Sequence, residues 1–263
     1  MAKVLRRYGW RPDLPARGDL YLLAPLSDVA QLPPAVDLRP KMPPVVDQGQ
    51  IGSCTANGIA AAYGFLEIQQ LAAKSGPEQF GDGVFDPVSR LFIYWNERSM
   101  EGDTGQDAGA QIRDGIATLK KWGACREATW PYDPSLLFQT PSRAAYSEAV
   151  GHKDLHGYRI ANTVLENLLS CLASGFPFVF GVTLYGSFES DAVASSGLVP
   201  MPGASEAPIG GHCMTAVGYD EPSAQFLVRN SWGESWGLGG HCWMPFAYLT
   251  SDQLASDFWT LRA

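Results

Sequence analysis

Gln48-Gly49-Gln50-Ile51-Gly52-Ser53-Cys54 sets a glutamine six residues before a cysteine, with two glycines and a serine between them. An apolar-striped segment rich in alanine, leucine, isoleucine and glutamine follows at once. This order reads as a glycine-rich loop delivering Cys54 to the first turn of a long helix over 55–73, with Gln48 looping back beside it. A thiol at a helix N-terminus lies at the positive end of the macrodipole, which favours the thiolate. A side-chain amide beside it can donate to an oxyanion. One loop therefore carries a candidate nucleophile and a candidate oxyanion donor.

Two distant segments extend the pattern. Gly210-Gly211-His212-Cys213-Met214-Thr215-Ala216-Val217-Gly218-Tyr219-Asp220 places one of the four histidines at the start of an apolar strand. Asn230-Ser231-Trp232-Gly233-Glu234-Ser235-Trp236-Gly237 follows the short apolar run Phe226-Leu227-Val228-Arg229. Cysteine, histidine and asparagine supply a nucleophile, a proton carrier and an orienting amide. A lone histidine is more often structural, but His212 follows two flexible glycines just before an apolar strand; His152 and His156 lack such a setting, and His241, in its own Gly-Gly-His-Cys stretch, reads as a strand residue. The competing reading of Cys54 is a small buried hydrophobe, the usual fate of a free cysteine.

With these residues the chain resembles the papain-like cysteine peptidases, the papain/cathepsin family. The likeness runs from Leu32-Pro33-Pro34-Ala35-Val36-Asp37-Leu38-Arg39, similar to the family's mature N-terminus, to Leu254-Ala255-Ser256-Asp257-Phe258-Trp259. The block from Asn230 to Gly237 is its most specific part. The resemblance implies an α+β papain-like fold, with a mainly helical lobe over about 54–140, a β-rich, barrel-like lobe over about 141–263 and the site in the cleft between. It implies a peptidase that hydrolyses peptide or protein substrates through a Cys54 thiolate and a thioester, without cofactor or metal. His212 would be base and acid, Asn230 would orient it, and Gln48 with the Cys54 backbone N–H would form the oxyanion hole. Trp232 would cover the His212–Asn230 pair. Gly211 and Cys213 would border the pocket for the second substrate residue before the scissile bond, with Ser256 or Asp257 at its floor.

The chain also departs from the family. A half-cystine common three residues before the nucleophile is Ile51 here. Thr55 and Asn57 replace a tryptophan and a phenylalanine, and Gly105-Gln106-Asp107-Ala108-Gly109-Ala110 is no clean match to the glycine pair of the far cleft wall. A thiol acyltransferase or amidase on the same fold, and a non-catalytic peptide-binding module, are the alternative readings.

Composition narrows the classes. The 263 residues suffice for two lobes with real cores. A net charge of −8 argues against a general nucleic-acid binder. No segment approaches a membrane span, and the basic N-terminus lacks the apolar run of a secretory signal. Localisation is thus open, with the cytoplasm expected if Met1 is the true start. Five cysteines leave at least one unpaired, and Cys125, Cys171, Cys213 and Cys242 are expected to be free, as in a reducing compartment. No paired spacing of cysteines and histidines suggests a metal.

Further helices are expected from near Pro87 to Arg98, over 111–122 and over 163–174. Strands are expected over 178–185 and near 212–219, 225–230 and 240–245, with a long loop over 186–211. Residues 1–31 read as an extended extension, because Gly9, Pro12, Pro15, Gly18 and Pro25 oppose helix. Tyr8-Gly9-Trp10-Arg11-Pro12-Asp13-Leu14-Pro15 resembles a leader of some prokaryotic members of the family. The segment occupies the place of a zymogen's inhibitory prosegment. Two readings stand: it lies in the cleft as a lid, or it packs elsewhere and only stabilises the fold.

Overall fold

The computed structural model describes residues 7–23, 32–75, 85–151 and 155–263. Helix α1, Cys54–Ser75, is the central element. Its first three turns are buried on every side, as an Ala-rich, all-round apolar helix must be. A Cβ added at Gly58 would lie 3.1 Å from both Cys213 Sγ and Val179 Cγ1, so the helix sits almost directly on the sheet. Helix α2, Arg90–Glu101, and α3, Ile112–Trp122, pack against α1 and each other. α2 begins three residues after Pro87, because Val88 bridges to Arg126 and the Ser89 hydroxyl caps the helix by accepting from Phe92 N at 3.0 Å. α2 and α3 end at Gly102 and Gly123, both at positive φ.

Among the described residues the second half forms most of one eight-stranded sheet, to which two short N-terminal strands add. Its strands are β1 (Tyr21–Leu22), β2 (Ala35–Asp37), β3 (His156–Ile160), β4 (Phe178–Tyr185), β5 (Pro208–Asp220), β6 (Gln225–Arg229), β7 (His241–Pro245) and β8 (Ala255–Arg262). The order is β1-β3-β8-β4-β5-β6-β7, with β2 pairing β5. Phe178, Phe180, Phe226 and Phe258 pack ring to ring in its core. Three short helices lie along the same half: α4 (Arg143–Ala149), α5 (Leu165–Ala173) and α6 (Asp191–Ser196). A fourth, α7, is Phe246–Leu249.

The expected loop over 186–211 is thus interrupted by α6, which Ser190 caps and Gly197 ends, and its last residues already belong to β5. Strands β3 and β8, which the sequence reading does not contain, sit beside each other in the sheet; β8 gives one edge to β3 and the other to β4. All five cysteines are free and buried. The N-terminal segment contributes β1, which runs parallel to β3 through Tyr21↔Arg159 and Leu22↔Ile160. No helix among the described residues is long and apolar enough to cross a membrane. His152 and residues 24–31 lie outside the described residues.

Candidate active site

The loop before α1 is clamped from behind. The Tyr132 hydroxyl donates to the Gln48 carbonyl at 2.9 Å and shares a 2.5 Å hydrogen bond with Ser53 Oγ. Asn57 Nδ2 donates to the carbonyl and hydroxyl oxygens of Ser53 at 2.9 and 3.0 Å. The Arg90 guanidinium stacks 4.0 Å from the Tyr132 ring and reaches Asn57 Oδ1 at 3.2 Å. Tyr132 therefore ties both ends of the loop at the place where Ile51 rules out a disulfide. Tyr132→Phe preserves shape and deletes both bonds. Its expected effect is a several-fold loss in kcat with little change in KM, as for a misplaced donor. Steady-state kinetics check it; an unaltered kcat would deny the tyrosine a positioning role.

Across the cleft, β5 carries His212 and the turn after β6 carries Asn230. His212 Nε2 lies 2.8 Å from Asn230 Oδ1. The Trp232 ring lies 5.1 Å from the imidazole at 33°, and Phe188 and Trp236 back it. The pair is buried under this aromatic cover.

Ser231 joins the two halves. Its backbone carbonyl accepts from Gln48 N at 2.8 Å, and its hydroxyl donates to Gln48 Oε1 at 2.6 Å. The amide oxygen being engaged, Gln48 Nε2 is turned to donate to Ile51 O at 2.9 Å and to Arg7 O at 3.3 Å. The sequence reading missed Ser231, although its place directly after Asn230 was the available signal.

Arg7 belongs to the N-terminal segment, which threads the cleft. The Gly9 carbonyl accepts from Ala110 N at 2.7 Å, Trp10 N donates to Gly211 O at 3.0 Å and Arg11 N donates to Ala110 O at 2.9 Å. Ala110 thus supplies the backbone pairing of the far wall without a glycine pair. The Tyr8 ring meets the His212 ring edge-on at 6.2 Å, and its hydroxyl donates to Glu189. The passage is narrow. A Cβ on Gly9 would come within 1.6 Å of Gly52 O, and one on Gly109 within 2.1 Å of Gly9 O.

Beyond the cleft, Asp13 and Asp19 pair with Arg113 and Arg159, and Arg159 pairs with Asp257 at 3.2 Å.

The thiol is fully buried. Burial pushes the Cys54 pKa up to about 12, only partly offset by backbone N–H groups of Gly9, Cys213 and Thr55, and the Glu97 carboxyl raises it further. The thiolate expected from the helix start is therefore disfavoured while the segment is in place, since desolvation outweighs the helix end. Glu97 itself, buried and accepting from Thr55 Oγ1 at 2.9 Å, has its pKa pushed well up by burial.

The structure brings Cys54, Gln48, His212, Asn230, Trp232 and Gly211 to one cleft. Cys213 Sγ instead points beneath α1 towards Gly58. Asp257, not Ser256, reaches the side chain held in the pocket: its Oδ2 accepts from Trp10 Nε1 at 3.1 Å.

The chain is similar to known peptidases in sequence and in fold. The sequence model of the Peptidase_C39 like family matches residues 95–243. An uncharacterized peptidase C1-like protein, L477, of Acanthamoeba polyphaga mimivirus is 45% identical over 82% of this chain and 69% of its own length. Digestive cysteine proteinase 2 of Homarus americanus is 31% identical over 78% of this chain and 59% of its own. The crystal structure of xylellain, a cysteine protease from Xylella fastidiosa, superposes with a TM-score of 0.87 at 39% identity, covering 98% of both chains. At these identities and coverages the chain belongs to the papain-like cysteine peptidases.

Proposed function

We propose that Cys54 is the nucleophile of this peptidase, His212 its proton carrier, Asn230 the residue that orients the imidazole and Gln48 the oxyanion donor. One observation carries the reading: beside Cys54, Gln48 Nε2 already holds a peptide carbonyl oxygen, that of Arg7. With Nε2 of His212 taken by Asn230, Nδ1 is the nitrogen that exchanges a proton with the thiol. The thiolate attacks a substrate carbonyl carbon, and the oxyanion rests on Gln48 Nε2 and the Cys54 N–H. The imidazolium protonates the departing amine as the C–N bond breaks, leaving a thioester. Water, deprotonated by His212, then attacks the thioester and releases the acid and the thiol.

Gln48→Ala tests the oxyanion assignment. Its expected cost is about 10²–10³ in kcat, the worth of one such donor. A kcat equal to that of the unaltered protein would dismiss the glutamine from the mechanism.

The same reading makes residues 7–13 a cover that is not cut. The resemblance places the pocket residue before the scissile carbonyl, whereas Trp10 follows Arg7, whose carbonyl sits at Gln48. Trp10 also pairs with Ala110 in parallel. The segment therefore runs backwards, and at Cys54 it offers the Gly9 N–H rather than a carbonyl carbon. Its role would be that of a short inhibitory prosegment, with residues 32–263 the peptidase domain.

A further inference from the structure

The slot that holds Trp10 is built for a bicyclic ring with one donor. Its walls are Gly181 of β4 and Gly211 of β5, on neighbouring strands. A Cβ at Gly181 would fall 1.9 Å from the indole, and one at Gly211 2.8 Å from it. At the end of the slot, Asp257 Oδ2 accepts from the indole Nε1 at 3.1 Å and from Asp13 N at 2.9 Å.

Asp257 is placed there at a conformational cost. It is one of two described non-glycine residues at positive φ, at 58°. It lies where β8 bulges against β4: Val179 pairs Trp259 but Gly181 pairs Ser256, so three steps of β8 oppose two of β4. Such a bulge re-aims a side chain, and strain of this kind persists where the surroundings enforce it.

The carboxylate is also already balanced. Arg159 Nη1 lies 3.2 Å from Asp257 Oδ1, both residues are buried, and Arg113 stands close by, sharing Asp13 and Asp19 with Arg159. When the segment leaves, Oδ2 loses its two donors while Oδ1 keeps its cation. The vacancy is for a neutral donor. A second guanidinium or ammonium would be desolvated next to Arg159, and a plain hydrocarbon ring would leave a buried oxygen without a partner.

We propose that Asp257 is a specificity-determining residue that selects peptides carrying tryptophan, a flat neutral N–H donor, in this slot, over phenylalanine-like rings and over arginine. The inference rests on residues 7–13 being a removable cover.

The test uses the full chain with Trp10→Ala, which empties the slot. Three otherwise identical peptides carry tryptophan, 3-benzothienylalanine or arginine at the pocket position; the second replaces the indole N–H by sulfur and keeps the ring shape. Tryptophan is expected to exceed its sulfur analogue about tenfold in kcat/KM, about 1.4 kcal/mol, with arginine the poorest of the three. In Asp257→Ala the ratio of the first two should collapse to about one. Equal rates for the two bicyclic peptides, or a preference for arginine, would overturn the proposal even if Asp257→Ala fails to fold. Failure to cleave any peptide would instead count against the peptidase assignment. Calorimetric binding of the same peptides to Cys54→Ala combined with Trp10→Ala then reads the slot alone, with the same tenfold ratio expected and equal affinities overturning it.

Discussion

Replacing Cys54 by alanine is expected to abolish peptide cleavage, a loss on the order of 10⁶ in kcat. His212→Ala is expected to approach the same loss rather than add to it in the double variant, because nucleophile and base act as a unit. The fold should survive both changes. The cysteine side chain is small, although it is fully buried, and the loop around it is held by Tyr132, Asn57 and Ser231, not by the thiol. Peptide hydrolysis together with an unfolding curve checks the pair. Residual cleavage in Cys54→Ala would remove the central assignment, and substitution of Cys125, Cys171 or Cys242 should leave most of the activity, since each is buried away from the cleft.

The second large effect is expected from Trp10→Ala. Removing a buried tryptophan costs about 3–5 kcal/mol. Trp10 is 8% exposed, fills the slot between Gly181 and Gly211, and gives its indole N–H to Asp257. If that cost falls on the closed state of the cleft, the open population rises by a factor between about 10² and several times 10³. Cleavage of a small peptide should rise accordingly.

The sign for the thiol follows from its present state. With the segment in place burial holds the Cys54 pKa near 12, so the group is a neutral thiol at pH 7 and alkylates slowly. Opening admits water and lets the pKa fall, so the rate of Cys54 alkylation at pH 7 should rise in Trp10→Ala. In the unaltered chain that rate should climb only on going to alkaline pH. Unchanged alkylation and unchanged kinetics with a lowered unfolding midpoint would make the segment a structural strap. The point substitution is a cleaner probe than deletion of residues 1–31. Deletion also removes β1 from the sheet and leaves Arg113 and Arg159 without Asp13 and Asp19.

The legible part of this molecule was local or nearly so. A glycine-rich loop followed by an unbroken apolar helix announces itself in a single stretch, as do a histidine at the head of an apolar strand and the Asn230–Gly237 block. Those three segments carry the family, the two-halved architecture and the candidate cleft residues. Helix α3 was read to its last residue because Gly123 stops it locally, whereas α2 runs three residues past the expected end at Arg98, to Glu101 before Gly102. Strands β3 and β8 were not legible: their place is set by pairing with distant partners, and β8 carries a bulge that breaks its alternation.

Three features were decided only by tertiary contact. The orientation of the Gln48 amide depends on a hydroxyl 183 positions away in sequence, that of Ser231. The charge state of Cys54 follows from its burial, whose desolvation overrides the helix end beneath the sulfur. Asp257 reaches the indole of Trp10 across 247 positions, and only because a bulge turns its side chain inward. Sequence determines which groups the chain can offer. Distance and exclusion of water decide which of them meet and in which protonation state, and both arise only once residues far apart in the chain are packed together.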